Sequence, residues 1–166
     1  MDAIRTAFMT YRKDKSPANA EALLQTVCRD ITAHVGSTRA SVWTFNKLGD
    51  AIRCLCLYDT RTGQFAKGAV LTEDDFASYF KAVRDDLKII APDAATHPAT
   101  ACFDELYFIP NDIRSLLDHV VLVGGSPTAV LCCEHCGERK AWSDADMDHL
   151  LQVASVLGMA FKDLAA

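Results

Sequence analysis

SLLDHVVLVGGSPTAVLCCEHCGERKAW, residues 115–142, is the stretch whose reading decides the fold. Two apolar runs, 115–125 and 128–137, flank Gly124-Gly125-Ser126-Pro127, and glycine and proline between such runs mark a hairpin of central strands. Within the second run three cysteines, a glutamate and a histidine occupy positions 132–136, a density that raises metal or redox chemistry.

Strand geometry divides that cluster. In an extended chain Cys132 and Glu134 point one way and Leu131, Cys133 and His135 the other, with Cys136 joining a side only near the strand end. Structural zinc sites usually combine two ligand pairs across a loop, and no second CxxC or HxxxH supplies the remaining ligands, so no metal is expected. Cys132 and Cys133 read as small buried apolar residues. Cys136, beside Arg139 and Lys140, is the candidate for a reactive thiol. Cys54 and Cys56 are read as sharing one strand face and as candidate sheet neighbours of Cys132 and Cys133.

Working outward, Ser143 caps a helix with acids at 144 and 146 in its first turn. Its residues Met147, Leu150, Ala154, Leu157, Phe161 and Leu164 form a heptad seam, and a second row, Val153, Val156 and Ala160, widens the stripe. One row is expected to cover the sheet and the other to meet a partner helix. The end at Leu164-Ala165-Ala166 carries no stop signal, which suggests a helix that continues into an output domain.

Upstream, Ile4, Phe8 and Tyr11 have helical spacing in an N-terminal extension, 1–15, and Ser16-Pro17 starts a second helix that runs to Gly36. ASVWTFN (40–46) and AIRCLCLYD (51–59) form a first hairpin, TRTGQFAKG is a turn-rich excursion, and Phe76, Tyr79, Phe80 and Val83 mark a short helix. Residues 88–114 begin as a strand and then turn irregular with three prolines; such segments are usually functional or mobile. Hairpin-paired strands with helices at the chain ends argue for an antiparallel α+β arrangement.

The bulk numbers narrow the function. The chain has 166 residues, a net charge of −5 with scattered basic residues, and no apolar run near the ~18 residues of a membrane span, so neither nucleic acid nor membrane is expected as a partner. Seven cysteines at irregular spacing, behind an N-terminus without a secretory core, point to a cytoplasmic protein with reduced thiols. Without a GxSxG or GxxxxGK motif, the chain itself is not expected to be an enzyme. His34, His119, His135 and His149 read as residues in unrelated settings.

The succession RASVWTFNKLGDAIRCLCLYD, KIIAPDAATHP, ELYFIPNDIRSLLDHVVLVGG and AVLCCEHCGERKAWSDADMDHLLQVAS, within residues 16–166, resembles GAF domains, sensory modules of bacterial signalling proteins. The resemblance implies a six-stranded antiparallel sheet related to the PAS fold, with the terminal helices on one face and a pocket under residues 88–114 on the other. Trp43, Tyr58, Phe76, Tyr79, Asp93, His97, Cys102, Tyr107 and Ser115 are the implied pocket residues. Aligning Tyr107 on the tyrosine of phytochromes puts Thr100, Ala101 and Asp104 where those proteins carry their bilin cysteine and histidines, so no bilin is expected at the usual site. The paired cysteine motifs of free methionine sulfoxide reductases are not found either. The function implied is regulatory: a small molecule of unknown identity binds and the terminal helices, as a homodimer, signal to a histidine kinase, diguanylate cyclase or transcription regulator. The alternatives are a ligand-free dimerisation scaffold and a thiol-based redox sensor.

Overall fold

The computed structural model describes residues 1–165, with side chains through Lys162. Helix α1 (Asp2–Lys13) turns Ile4, Phe8 and Tyr11 inward. Helix α2 (Pro17–Val35) starts where proline favours the first turn: the Ser16 Oγ accepts the Asn19 N–H at 3.3 Å. It stops at Gly36, whose φ of 67° suits a left-handed cap and whose N–H donates to the Thr32 carbonyl at 3.0 Å.

Strands β1 (Arg39–Phe45) and β2 (Ala51–Asp59) form the first hairpin. The stretch expected as a turn-rich excursion instead supplies β3 (Gln64–Ala66) and β4 (Val70–Thr72), which pair with the two ends of β2. Between them the Gly68 N–H donates to the Cys54 carbonyl and the Cys54 N–H to the Ala69 carbonyl, both at 2.8 Å. The edge is thus one strand position broken in two. With β5 (Lys88–Ala91), β6 (Ile113–Val123) and β7 (Ser126–Cys136) the sheet has seven strands in six positions, and every pairing is antiparallel. The order is β3–β2–β1–β7–β6–β5, with β4 beside β2.

Two cores follow. Helices α1, α2 and α5 (Asp144–Ala165) cover one face, burying Val27, Ile31, Leu117, Val121, Leu131 and Leu157. Helix α3 (Ala77–Asp85) and the segment from 92 to 112 cover the other, over Trp43, Ile52, Leu116, Val120 and Val130. Both rows of α5 turn inward: Leu150, Val153, Ala154, Val156, Leu157 and Ala160 are all buried, packed on β6 and against α1 and α2. The row assigned to a partner helix therefore finds that helix within the chain. Leu164 and the 164–166 end lie outside the residues whose side chains are described.

One irregularity reassigns a strand. Val42 pairs with Cys56 but Trp43 pairs with Cys54, so Leu55 is an extra residue, a β-bulge. Ile52 and Cys54 face α3, whereas Cys56 and Tyr58 face the terminal helices. The expectation that Cys54 and Cys56 share a face is corrected by this bulge. Because β1 lies between β2 and β7, their neighbourhood with Cys132 and Cys133 is corrected as well. Among the described residues no helix is long and apolar enough to cross a membrane.

Candidate functional site

The segment after β5 is tied down at both ends. The Ser115 Oγ donates to the Pro92 carbonyl at 2.6 Å and accepts the Lys140 N–H at 2.7 Å, and the Thr100 Oγ1 donates to the Ala94 carbonyl at 2.7 Å. Between these anchors the chain winds as a 3₁₀ turn (Ala101–Phe103), a π-type turn (Asp104–Phe108) and α4 (Ile109–Asn111). Single π-type turns are frequent at functional sites, and here the turn aims Tyr107 and Phe108 at the sheet, beside Phe103 from the 3₁₀ turn before it.

Beneath them is a cleft. Its floor is Trp43, Ile52, Leu116, Asp118, Cys132 and Glu134 of the sheet; its roof is Phe103, Tyr107 and Phe108, with Tyr79 of α3 and Leu71 at the side. The rings are stacked or edge-on: Phe103 lies 4.3 Å from Phe76 and 4.9 Å from Tyr79 between centroids. The cleft is a cavity of about 20 Å³, room for about one ordered water.

Its polar groups are the unusual part. Asp118 is 1% exposed; the Tyr79 hydroxyl donates to its Oδ2 at 2.6 Å, while Oδ1 is buried without an N–H or O–H donor, which leaves the carboxyl only the weak thiol of Cys132 besides. Burial pushes the Asp118 carboxyl up to about 7, against the pull of the Cys132 thiol and the Tyr79 hydroxyl. A second group forms a row across three strands, since Arg39 faces Asp59 on one side and Glu134 on the other. The Arg39 Nε approaches Glu134 Oε2 at 3.1 Å and Asp59 Oδ2 at 3.9 Å, and its Nη2 donates to the Tyr107 hydroxyl at 3.4 Å. Arg39 Nε, its Nη1 and Glu134 Oε2 are buried without a well-directed hydrogen bond. Burial raises the Glu134 carboxyl, with Arg39 drawing it back. An apolar, aromatic-walled cleft whose floor holds the under-satisfied Asp118 beside the imperfectly directed Arg39–Glu134 ion pair is suited to a guest that brings N–H or O–H donors.

Of the residues that the sequence nominates, Trp43, Tyr79 and Tyr107 line the cleft. Phe76 stands one layer behind, stacked on Phe103, and Cys102 packs nearby with its thiol 3.8 Å from the Ala99 carbonyl. Ser115 is a fastener of the segment. Asp93 pairs with Arg139 at 2.7 Å in a separate cleft, and His97 accepts the Ala99 N–H at 3.2 Å beside Lys81 and Asp85. Tyr58 is on the wrong face: the Leu55 bulge turns it to the helix side, against Phe65 and under Arg29. Cys136 is half-buried, and burial pushes its thiol up, the reverse of what a reactive thiolate needs. The residues that sequence reasoning missed are Asp118, Glu134 and Arg39. The two acids carried a usable signal, a carboxylate inside an otherwise apolar central strand. His34 and His149, read as unrelated, stack at 4.4 Å on the helix face.

Antiparallel sheet, terminal helices and roofed cleft define a sensory-domain architecture. The GAF domain family model matches residues 19–161, and the chain belongs to that family. It is similar to the phycocyanobilin-bound GAF domain of a cyanobacterial phytochrome, with 14% identity, TM-score 0.77 and coverage of 98% of this chain and 93% of that one. It is also similar to the GAF domain of an Acinetobacter phosphoenolpyruvate-protein phosphotransferase, with 12% identity, TM-score 0.67 and coverage of 95% and 89%. A domain of a putative two-component sensor histidine kinase from Sinorhizobium meliloti 1021 matches with 12% identity, TM-score 0.63 and coverage of 87% and 92%. No curated protein matches the sequence.

Proposed function

We propose that this chain is a cytoplasmic regulatory domain whose cleft binds a small planar molecule with N–H or O–H donors along one edge, a nitrogen heterocycle being the chemistry that fits best. The observation that carries this reading is the buried, half-satisfied set of Asp118, Glu134 and Arg39 beneath aromatic walls. A polar network left incomplete in an apolar core is costly, and a ligand that completes it recovers that cost. The scaffold alternative gives those open bonding positions no role. No reaction is assigned to the site.

A guest of ten or more atoms needs the roof to lift, since the cleft as built has room for about one water. Binding thus selects a state in which residues 92–112 are displaced. The route to the helices is β6, which presents Leu116 and Asp118 to the cleft and Leu117 and Val121 to the core under α5. The reading places the output, a kinase, cyclase or transcription regulator, on α5. A bilin is a poor fit: Thr100, Ala101 and Asp104 lack the attachment chemistry, and a tetrapyrrole far exceeds the cleft.

The test uses Trp43, at 4% exposure in the cleft floor, as the reporter in a Trp142→Phe background. Purines, pterins, cyclic nucleotides and biliverdin are titrated by fluorescence and by melting. At least one heterocycle is expected to quench Trp43 and raise Tm, and Asp118→Leu is expected to fold and lose both responses. A response unchanged in Asp118→Leu, or none from any heterocycle, sinks the proposal.

A further inference from the structure

On the face away from the cleft, two helices bring together a donor set that no sequence motif announces. Asp30 and His34 stand one turn apart on α2, the i,i+4 spacing that puts two side chains on one helix face. His149, near the start of α5, meets them: its Nε2 lies 2.7 Å from Asp30 Oδ1, and the His34 Nδ1 lies 3.4 Å from the same oxygen. The two imidazole rings stack with centroids 4.4 Å apart, and the three donor atoms lie within 4.8 Å of one another. Donors bound at the usual zinc distances in a tetrahedral shell stand about 3.4 Å apart, so small side-chain rotations suffice to close this set on one ion.

We propose that Asp30, His34 and His149 form a site for a divalent first-row transition metal of the zinc class. Two imidazoles and one carboxylate suit zinc, nickel or copper better than calcium or magnesium, which prefer oxygen shells. Asp30 and His149 have side chains 8% and 11% exposed, whereas His34 is 52% exposed, so the site is anchored inside and open outside, where water completes the shell. The Asp30 carboxylate is shared by both imidazoles and by the Met1 ammonium, 2.8 Å from Oδ2. The His34 Nδ1 also lies 2.9 Å from the Asp30 carbonyl, a contact the ion replaces.

The consequence is mechanical. A metal here cross-links α2 to α5 beside the start of α1, across the sheet from the cleft, and so stiffens the helix layer independently of whatever the cleft binds.

The experiment uses the full untagged chain, stripped with EDTA, titrated with Co²⁺ by visible absorption and with Zn²⁺ by competition and melting. One equivalent is expected to bind with visible Co²⁺ bands, and Zn²⁺ is expected to raise Tm. Residues that merely orient metal ligands are worth about 10–100-fold in affinity, so His34→Ala and His149→Ala should each weaken binding at least about tenfold. His119→Ala, on β6 and outside the donor set, should bind as the parent does. His34 is half exposed, so its alanine variant keeps the test valid if His149→Ala fails to fold. Absence of visible bands, or binding unchanged in either histidine variant that folds, overturns the proposal and leaves a hydrogen-bonded clasp.

Discussion

Tyr79 and Asp118 meet across the cleft at 2.6 Å, the phenol of α3 donating to one oxygen of a carboxylate whose other oxygen has no N–H or O–H donor. This pair joins the side wall of the cleft to the middle of its floor, and it makes the Asp118 proton a variable of both stability and binding.

That proton sets a pH dependence. The folded-state value of about 7 lies roughly three units above the ordinary 3.8, so between these limits the folded chain holds a proton that the unfolded chain has lost. Stability must therefore fall as pH rises through this window, by an amount on the order of 4 kcal/mol at about 1.4 kcal/mol per unit. Urea unfolding of the parent and of Asp118→Asn at pH 5 and pH 8 isolates the effect from the histidines. The parent is expected to lose stability relative to the variant on going to pH 8; parallel curves would show that Asp118 is solvated in solution.

Arg39 and Glu134 form a buried pair whose members depend on each other, with side chains 7% and 2% exposed. Removing one charge strands the other, so Arg39→Met should cost about 3–5 kcal/mol. The double variant Arg39→Met/Glu134→Leu leaves no stranded charge and should recover most of that loss. Chemical denaturation of the two variants checks it, and equal losses would mean that packing of the arginine stem, not charge, is at issue.

Gly158 on α5 makes a sharper test of the helix layer. A Cβ built there would stand 2.8 Å from the Leu122 carbonyl oxygen, backbone of β6 that cannot step aside. Alanine normally gains about 1 kcal/mol over glycine in a helix. Here the overlap should outweigh it, so Gly158→Ala is expected to destabilise by about 1–3 kcal/mol in thermal melts.

The thiols divide by burial. Cys28, Cys54, Cys56, Cys132 and Cys133 are buried, and only Cys102 and Cys136 are half-buried. Native iodoacetamide labelling followed by peptide mapping should mark Cys102 and Cys136 first. Since burial raises the Cys136 thiol, its rate should not exceed that of a free peptide thiol. Faster labelling of Cys136 would restore the redox reading.

The pattern of these expectations shows what a sequence displays and what it hides. Ser16-Pro17, Gly36 and Gly124-Gly125 act locally, and each stands at the boundary it announces, while Ser126 and Pro127, read as part of the turn, are paired residues of β7. Face assignments hold for β7 from Ala129 to His135, where the register is continuous, and fail for β2, because nothing in AIRCLCLYD marks Leu55 as the extra residue. That one bulge turns Tyr58 away from the cleft while Ile52, before it in the strand, stays on the cleft side. Asp118 and Glu134 were visible as acids in apolar strands, but their convergence with Arg39 is a matter of strand order. Asp30 and His149, 119 positions apart, meet only through helix packing.

The seam of α5 bears on how copies of the chain associate. Leu150 and Leu157 are 0% and 1% exposed within one chain, in contact with the sheet and the neighbouring helices. Truncating a buried leucine removes its transfer energy and leaves a cavity, so Leu157→Ala should cost about 2–5 kcal/mol. A seam between copies predicts something else: a lower solution mass at little cost to the fold of each chain. Light scattering and melting on the same sample separate the two. The expected result is a lower Tm with an unchanged mass, because the side chain holds α5 to its own sheet. A fall in mass without a fall in Tm would return Leu157 to an interface between chains and force α5 to be redrawn as detachable.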